Sequence, residues 1–548
     1  MFKATLLLTL LAAVFSGAVQ AEEWIDFSAR DTALGGAGGI FGRGATGSYY
    51  NPANVTRRPW EKDTFPKFEL DIPFGATASV HGLSYQRVFD AVKLAQELFD
   101  EFEDGTFQPG NPNVTTEDFG FAFKVFDSLD GLRSFNGDGI YSGAAAGIAV
   151  RVSNLFLKRD GISVRLGAFG LAAATSLVDM DSLRGYRLTN AAGAQFDSII
   201  QQAMTNSGGN TAPSSAGGQQ FSQQLQAAGY PQAIADGLAD IAEDSGINFG
   251  GAASSVLFDF LVNSRNGTGT SLESGANPLE GNRTGFLLRG AVFYEAAVTY
   301  GFGLPVLGLD DWLAFGVTPK LIQCYTFSQA LYVEDFQNDE GPQKAIDSLT
   351  EQLQDAMTFN GENAQIGFGI DLGIVFTPQL PVLSGLCFAL SGRNLNSPEF
   401  TFDDKLPGAP KKVRLDAQFR GGVSYTLFAP NFPLTFGVEA DLNPVSSDLL
   451  PNYHTQFVRF GASFEPNFGL FGLGVRLGAL KNVADAEQPI TMAAGLGFRI
   501  VVVKLDFGAQ FSFDQTLFGG ENTDSEDEGF SLPQRVALYA QLGIAINF

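Results

Sequence analysis

The chain reads as an all-β protein: a transmembrane antiparallel β-barrel of about 14 strands, with helical insertions in its outer loops. Three observations predict this. Apolar and polar residues alternate with period 2 in segment after segment, as in "KFELDIPFGA", where Phe68, Leu70, Ile72 and Phe74 face one way and Lys67, Glu69 and Asp71 the other. The connections between these segments alternate between short and long, the way an outer-membrane barrel sorts its two rims. The chain also opens on an export-type leader, and no later segment is apolar for long enough to cross a membrane as a helix.

The leader is "MFKATLLLTLLAAVFSGAVQA". It places Lys3 before an apolar stretch from Ala4 to Phe15 and ends on Val19-Gln20-Ala21, the pattern of a signal peptide over 1–21 cleaved after Ala21. The stretch falls short of the ~20 residues a spanning helix needs. Charged residues make up 17% of the chain, well below the ~25% usual for soluble domains. With 65 glycines, 51 phenylalanines and only two cysteines, an exported chain of this kind fits a large barrel better than a disulfide-stapled domain. Cys324 and Cys387 fall in separate predicted strands and read as ordinary thiols rather than a disulfide. A net charge of −25 argues against nucleic acid as a partner.

Residues 22–62 form a glycine-rich segment before the first strand. It contains Gly42-x-Gly44-x-x-Gly47, formally a dinucleotide fingerprint, but no strand precedes it and no βαβ unit surrounds it. Tight backbone turns are the better reading of these glycines, and Asn51-Pro52 is a turn former in its own right.

The barrel is expected over 63–548. Its strands are read at 66–77, 139–152, 161–177, 285–301, 312–327, 364–377, 384–395, 411–428, 433–443, 455–465, 470–480, 489–499, 501–512 and 534–548. "AQIGFGIDLGIVF" sets Ile366, Phe368, Ile370, Leu372, Ile374 and Phe376 against Gln365, Gly367, Gly369, Asp371 and Gly373. "VRLDAQFRGGVSYTL" sets Val413, Leu415, Ala417, Phe419, Val423, Tyr425 and Leu427 against Arg414, Asp416, Gln418, Arg420 and Ser424. In a membrane barrel the apolar register meets lipid and the charged register lines the lumen. Long loops are expected at 78–138, 178–284, 328–363 and 513–533, and the even strand count puts both termini on the short-turn rim.

Two long loops carry helical periodicity. "SYQRVFDAVKLAQELFDEF" starts at Ser84, a plausible N-cap, and "PQAIADGLADIAEDSG" spaces Ile234, Leu238 and Ile241 along one helix face. Between them, 206–220 has the composition of a flexible linker. Helices here are expected to cap the outer mouth, with their apolar faces packed on one another in preference to binding a ligand.

In the lumen, Arg393, Arg414, Arg420, Arg459, Arg476 and Arg499 with Asp371, Asp416, Glu439, Asp441 and Asp506 are expected to pair as an ion network, because charges in a low-dielectric lumen must pair. The chain ends on an alternating strand in which Leu542, Ile544, Ile546 and Phe548 share the apolar register. Outer-membrane barrels commonly end this way, and the barrel-assembly machinery reads the terminal aromatic; Phe548 resembles that signal.

Enzymatic chemistry is not indicated. His81 and His454 are isolated at predicted outer rims, and the sequence has neither a Gly-x-Ser-x-Gly nor a Cys/His metal spacing. "GENTDSEDEGF" (520–530) lacks the ordered ligand positions of a calcium loop and reads as a solvated acidic loop. No catalytic residue, metal or cofactor is expected.

The stretch "SARDTALGGAGG…GATGSYYNPA" (28–53), ahead of a barrel ending in Phe, resembles the FadL-type superfamily of outer-membrane transporters for fatty acids and other hydrophobic compounds. Within it the chain is most similar to the conjugal transfer TraF-like proteins. The resemblance implies that 22–62 is a lumenal plug, with Arg30, Gly36, Gly38 and the motif Asn51-Pro52-Ala53 as its signature. It further implies an outer-membrane location, lipid and the assembly machinery as partners, and passage of a hydrophobic small molecule past the plug. A structural or assembly role in a secretion or conjugation apparatus is the alternative.

Overall fold

The first barrel strand closes on the last: Phe68 pairs with Ile546, and the ladder continues to Ser79 opposite Arg535. The computed structural model describes residues 19–20, 25–57, 68–81, 113–133, 139–208, 212–271, 283–304, 312–332, 347–354, 364–402, 411–518 and 530–546, apart from isolated positions within them. Fourteen antiparallel strands form one closed barrel in which each pairs with its chain neighbours. They are β1 (Phe68–His81), β2 (Gly139–Ser153), β3 (Asp160–Leu177), β4 (Gly285–Gly303), β5 (Leu313–Tyr332), β6 (Gln365–Phe376) and β7 (Leu386–Arg393). The second half is β8 (Gln418–Leu427), β9 (Leu434–Asp441), β10 (Phe457–Phe464), β11 (Phe471–Asn482), β12 (Thr491–Ile500), β13 (Val503–Ser512) and β14 (Arg535–Ile546). Closure gives every strand a wall neighbour on both sides.

Connections after odd strands run long, from 82–138 and 178–284 onward, except 483–490 after β11, and those after even strands are the short turns 154–159, 304–312, 377–385, 428–433, 465–470 and 501–502. The expected sorting of loops between two rims therefore holds. Along β14, Val536, Leu538 and Leu542 are exposed while Ala537, Tyr539 and Gln541 are buried. Phe436, Phe460, Leu477, Leu496 and Phe507 continue an exposed apolar belt on other strands. A wall that turns such side chains outward and its charges inward is built for a hydrocarbon surround.

Inside the barrel lies the buried segment 25–57, with three one-turn helices, α1 (Ala29–Thr32), α2 (Gly38–Phe41) and α3 (Gly47–Tyr50), and a 3₁₀ turn over Pro52–Thr56. Val19–Gln20 pairs with Val445–Ser446, a two-residue bridge that cleavage after Ala21 would remove.

Two long loops together build a helical module. α4 (Thr116–Arg133) from the first packs with α5 (Ala194–Asn206), α6 (Ala216–Ala227), α7 (Gln232–Asp244) and α8 (Ala252–Asn266) from the second. Phe119, Phe123, Ile200, Leu238, Leu257 and Leu261 form its core, so the apolar faces do pack on one another.

Two expectations are corrected. Residues 206–220 are not linker throughout, because Ser215 caps α6, its hydroxyl accepting from the Gly218 N–H at 3.0 Å. The strand read at 411–428 is broken at 415–417: Lys412–Arg414 pairs instead with Glu399–Thr401 as a separate ribbon, and Val413 is fully buried. Arg414 and Asp416 thus belong to the loop 394–417, not to the barrel wall. The helix read from Ser84 and the terminal Phe548 lie outside the described residues, whereas Leu542 and Ile544 occupy the outward register of β14 as expected.

Candidate functional site

The inner segment reaches the wall because the wall has glycine where the two meet. Gly161, Gly301, Gly316 and Gly373 are successive cross-strand partners on β3, β4, β5 and β6. A Cβ on Gly316 would lie 2.2 Å from the Pro52 carbonyl carbon, one on Gly373 2.0 Å from Asn51 Oδ1, and one on Gly301 2.4 Å from Val55. Across the lumen, Gly437, Gly461 and Gly478 on β9, β10 and β11 do the same for Ile40, Phe41 and Leu34. A run of β-carbons at this level would hold the segment off the wall. These glycines are the residues that sequence reading missed. Their signal was a lumenal register of glycine opposite bulky apolar residues, present in "AQIGFGIDLGIVF".

The Asn51-Pro52-Ala53 motif opens a 3₁₀ turn against the wall. Asn51 caps the 3₁₀ turn, its Oδ1 accepting from Ala53 N–H at 2.9 Å. Its Nδ2 donates to the carbonyls of Ile374 on β6 and Leu390 on β7, each at 3.2 Å. Pro52 supplies the fixed φ that starts the turn. The neighbouring Asn54 ties the segment to itself, its Nδ2 donating to the carbonyls of Gly38 and Gly39 at 3.2 Å. Gly36 adopts φ +80° in the turn after α1, and a side chain on Gly38 would strike the Tyr50 ring.

Charge fixes the segment at four places. Arg30 is bonded to Glu465 in the β10–β11 turn and donates to the Phe41 carbonyl. Arg43 meets the same carboxylate at 3.0 Å, and Arg476 joins it to Asp506. Burial alone would raise Glu465, but the guanidinium groups of Arg30, Arg476 and Arg43 hold it well below the usual carboxylate range. Burial pushes Arg43 down to about 9, against the pull of Glu465.

A second cluster joins Arg420, Asp441, Arg459 and Glu439, with Glu439 Oε2 accepting from Ile40 N–H at 3.0 Å. Asp26 faces this cluster and accepts from Gln510 at 3.1 Å; burial raises its pKa against Arg420 and Arg459. Asp31, in α1, is pushed up to about 6 by burial, with Arg30 opposing.

The third cluster unites Glu69 with Arg151 and Lys504, and the neighbouring Asp71 accepts from Ala45 N–H. The fourth unites Glu295 with Arg165, Lys320 and Arg393, and Lys320 with Asp371. Of the expected network, Asp371, Arg393, Arg420, Glu439, Asp441, Arg459, Arg476 and Asp506 take part. Arg499 instead donates to the Gly469 carbonyl at the short-turn rim, and Arg414 sits 3.7 Å from Asp448 in the loops. Glu69, Arg165, Glu295, Lys320 and Glu465 were not singled out. Arg165, Glu295 and Lys320 are each a solitary charge amid small and apolar residues, as in "AVFYEAAVTY", while Glu69 was read only as one of the charged face of its strand.

Above the segment, Tyr49 lines a small cleft of about 40 Å³, walled by Ile25, Phe169, Leu171, Phe293, Ile322 and Leu415. Glu295, Arg393, Asn394 and Gln418 form its polar end. The Arg393 guanidinium lies 4.2 Å from the Tyr49 ring centroid. Asn394 is buried and left-handed at φ 52°, and its Oδ1 has no hydrogen-bond partner.

Beside the cleft the wall is thin. β6 and β7 pair only from Phe376–Phe388 to Leu372–Gly392, whereas β3 and β4 pair from Asp160–Phe302 to Leu177–Gly285. Past Gly392 the edge of β6 is held by the incoming loop: Leu395 N–H donates to the Ile370 carbonyl, and Asn396 Oδ1 accepts from Ile370 N–H.

A closed barrel with a hydrocarbon-facing wall, an inner segment bonded to it and an apolar cleft above defines the class: a β-barrel that spans a membrane by its strands. The chain belongs to the family described as "F plasmid transfer operon, TraF, protein", whose model matches residues 48–441. That match takes in Asn51-Pro52-Ala53 and runs to the end of β9. Among solved structures, the chain is similar to the Pseudomonas putida toluene transporter TodX at 11% identity, over 97% of this chain and 100% of that one, with a TM-score of 0.39. It is similar to a Pseudomonas aeruginosa FadL homologue at 9% identity, over 97% and 99%, with a TM-score of 0.37. It is also similar to the CymD monoaromatic hydrocarbon channel at 10%, over 96% and 100%, with a TM-score of 0.38. No curated protein matches the chain.

Proposed function

We propose that this protein is an outer-membrane barrel that admits hydrophobic small molecules past a plug formed by residues 25–57. The observation that supports this reading is the cleft: a small opening with an apolar side and a polar end, set between the plug's Tyr49 and the shortest strand pairing of the wall, which a ligand would have to widen. A molecule with an apolar body gains about 25 cal/mol for each Å² it removes from water there. Passage requires Asn51 to release the β6 and β7 carbonyls or the loop carrying Leu415 to swing out. Binding is tested by titrating the detergent-solubilised protein with a fluorescent fatty-acid analogue and a series of monoaromatic competitors. Saturable binding that Leu171→Asp and Phe293→Asp abolish supports the reading; binding indifferent to both overturns it.

A second reading, an outer-membrane component of a conjugation or secretion apparatus, is favoured by the family's description and by the helical module α4–α8. A membrane protein that binds none of these ligands but is recovered in a stable complex with other envelope proteins would fit that reading instead.

A further inference from the structure

Among the described residues, five of the six short turns carry exposed apolar side chains. Phe156 is 75% exposed, Phe428 70% and Phe468 60%, and Leu380, Leu470 and Val501 extend the pattern round the rim. Turns that face water are built from Gly, Asn, Asp and Ser. Here two tips carry bulky residues in the left-handed region, Phe428 at φ 57° and Val501 at φ 56°, where a β-branched side chain is strained.

Two acids at these turns point inward. Asp160 is buried and its carboxylate accepts from the N–H groups of Leu155 and Phe156 at 2.8 and 2.9 Å. Glu465 is turned to Arg30 and Arg476. Phe468 N–H donates to the Phe471 carbonyl, and Val501 N–H crosses to Leu470 of the adjacent turn at 2.7 Å. Backbone satisfied from within the protein is what a segment in lipid requires, and water does not demand it.

We propose that this collar of turn residues lies in lipid, at the boundary of acyl chains and headgroups of the leaflet at the short-turn end. The inference rests on the membrane reading of the barrel wall. Lipid is the occupant because exposed apolar residues recur on five of the six short turns and adjoin the outward strand ends Leu427, Phe471, Ile500 and Val503, all exposed. A single protein partner would cover one side. The short-turn mouth then opens at the level of the bilayer, and an apolar solute leaving there stays in contact with lipid.

The test places single thiols at Phe156→Cys and Phe468→Cys, with Gln223→Cys on the exposed face of α6 as the reference. The native Cys324 and Cys387 are buried, so the new thiols take a solvent-sensitive fluorophore. Labelled protein is reconstituted in phosphatidylglycerol–phosphatidylcholine vesicles. Blue-shifted emission at 156 and 468, quenched several-fold more strongly by brominated acyl chains than at 223 and hardly at all by aqueous iodide, supports the collar. Water-like emission with full iodide quenching at both sites in protein that floats with the vesicles overturns the collar and leaves the barrel reading intact. Shielding that appears only as protein density rises overturns it in favour of contact between copies. Protein that fails to float overturns both.

Discussion

Arg30 in the inner segment and Glu465 in the β10–β11 turn face each other as a fork, Nε to Oε1 at 3.1 Å and Nη2 to Oε2 at 3.3 Å. Glu465 is also the partner of Arg43 and Arg476. Removing this carboxylate takes the shared partner from three guanidinium groups, although Arg476 keeps Asp506 and Arg30 keeps the Phe41 carbonyl, and loss of one partner of a buried pair costs up to about 3–5 kcal/mol. Glu465→Gln is therefore expected to lower the temperature at which the heat-modifiable gel band unfolds. An unchanged transition would show that the segment is held without this contact.

The glycine contacts make a separate prediction. Gly316→Ala drives a methyl into the Pro52 backbone, whereas Gly170→Ala, also in a wall strand, meets nothing within 4 Å. Overpacking of this kind costs about 1–3 kcal/mol. Gly316→Ala should destabilise the barrel and Gly170→Ala should be nearly silent in the same melting assay; equal effects would mean that the segment is not pressed to the wall there.

Asn51→Ala removes two bonds to wall carbonyls and the cap of the 3₁₀ turn. Buried polar groups left without partners cost about 1–3 kcal/mol. Hydrogen exchange should rise in β6 and β7 next to Ile374 and Leu390, with β11 and β12 unchanged. A uniform rise, or none, would contradict a local latch at the thin part of the wall.

The pH dependence has two opposite parts. The pKa of Glu465 is held down in the folded state, so its contribution is present above its ordinary pKa of 4.5 and is lost as pH falls below it. The pKa of Asp31 is raised to about 6, so its contribution is full below 3.8 and is lost as pH rises through about 6. Asp31→Asn should thus stabilise the protein at pH 7 and flatten the dependence between pH 4 and 6, measured by thermal unfolding in detergent. A destabilising Asp31→Asn at pH 7 would show that the charged form is the one the fold needs.

Much of the barrel was legible because lipid on one side and a lumen on the other impose strict alternation on each strand. β2, β3 and β4 fall within two residues of their predicted bounds. The pattern misled at 411–428, because Val413 and Leu415 keep the alternation while packing in the lumen; period 2 separates two faces but does not say which one meets lipid. Asn51-Pro52-Ala53 was legible as a motif, but its partners Ile374 and Leu390 contribute only backbone, which leaves no mark in the sequence. Glu465 escaped notice because it stands in a turn, where a lone acid is usually solvated.

Uptake tests the central proposal most directly. A bacterial strain with a tight outer membrane and without its own hydrophobic-compound channels would be given this protein, its presence in the outer membrane verified, and the entry of a labelled long-chain fatty acid and of toluene measured. Saturable entry that depends on expression, and that Phe293→Asp in the cleft reduces without lowering the amount of assembled barrel, is the expected result. Entry identical with and without the assembled protein, for both compounds, would contradict it.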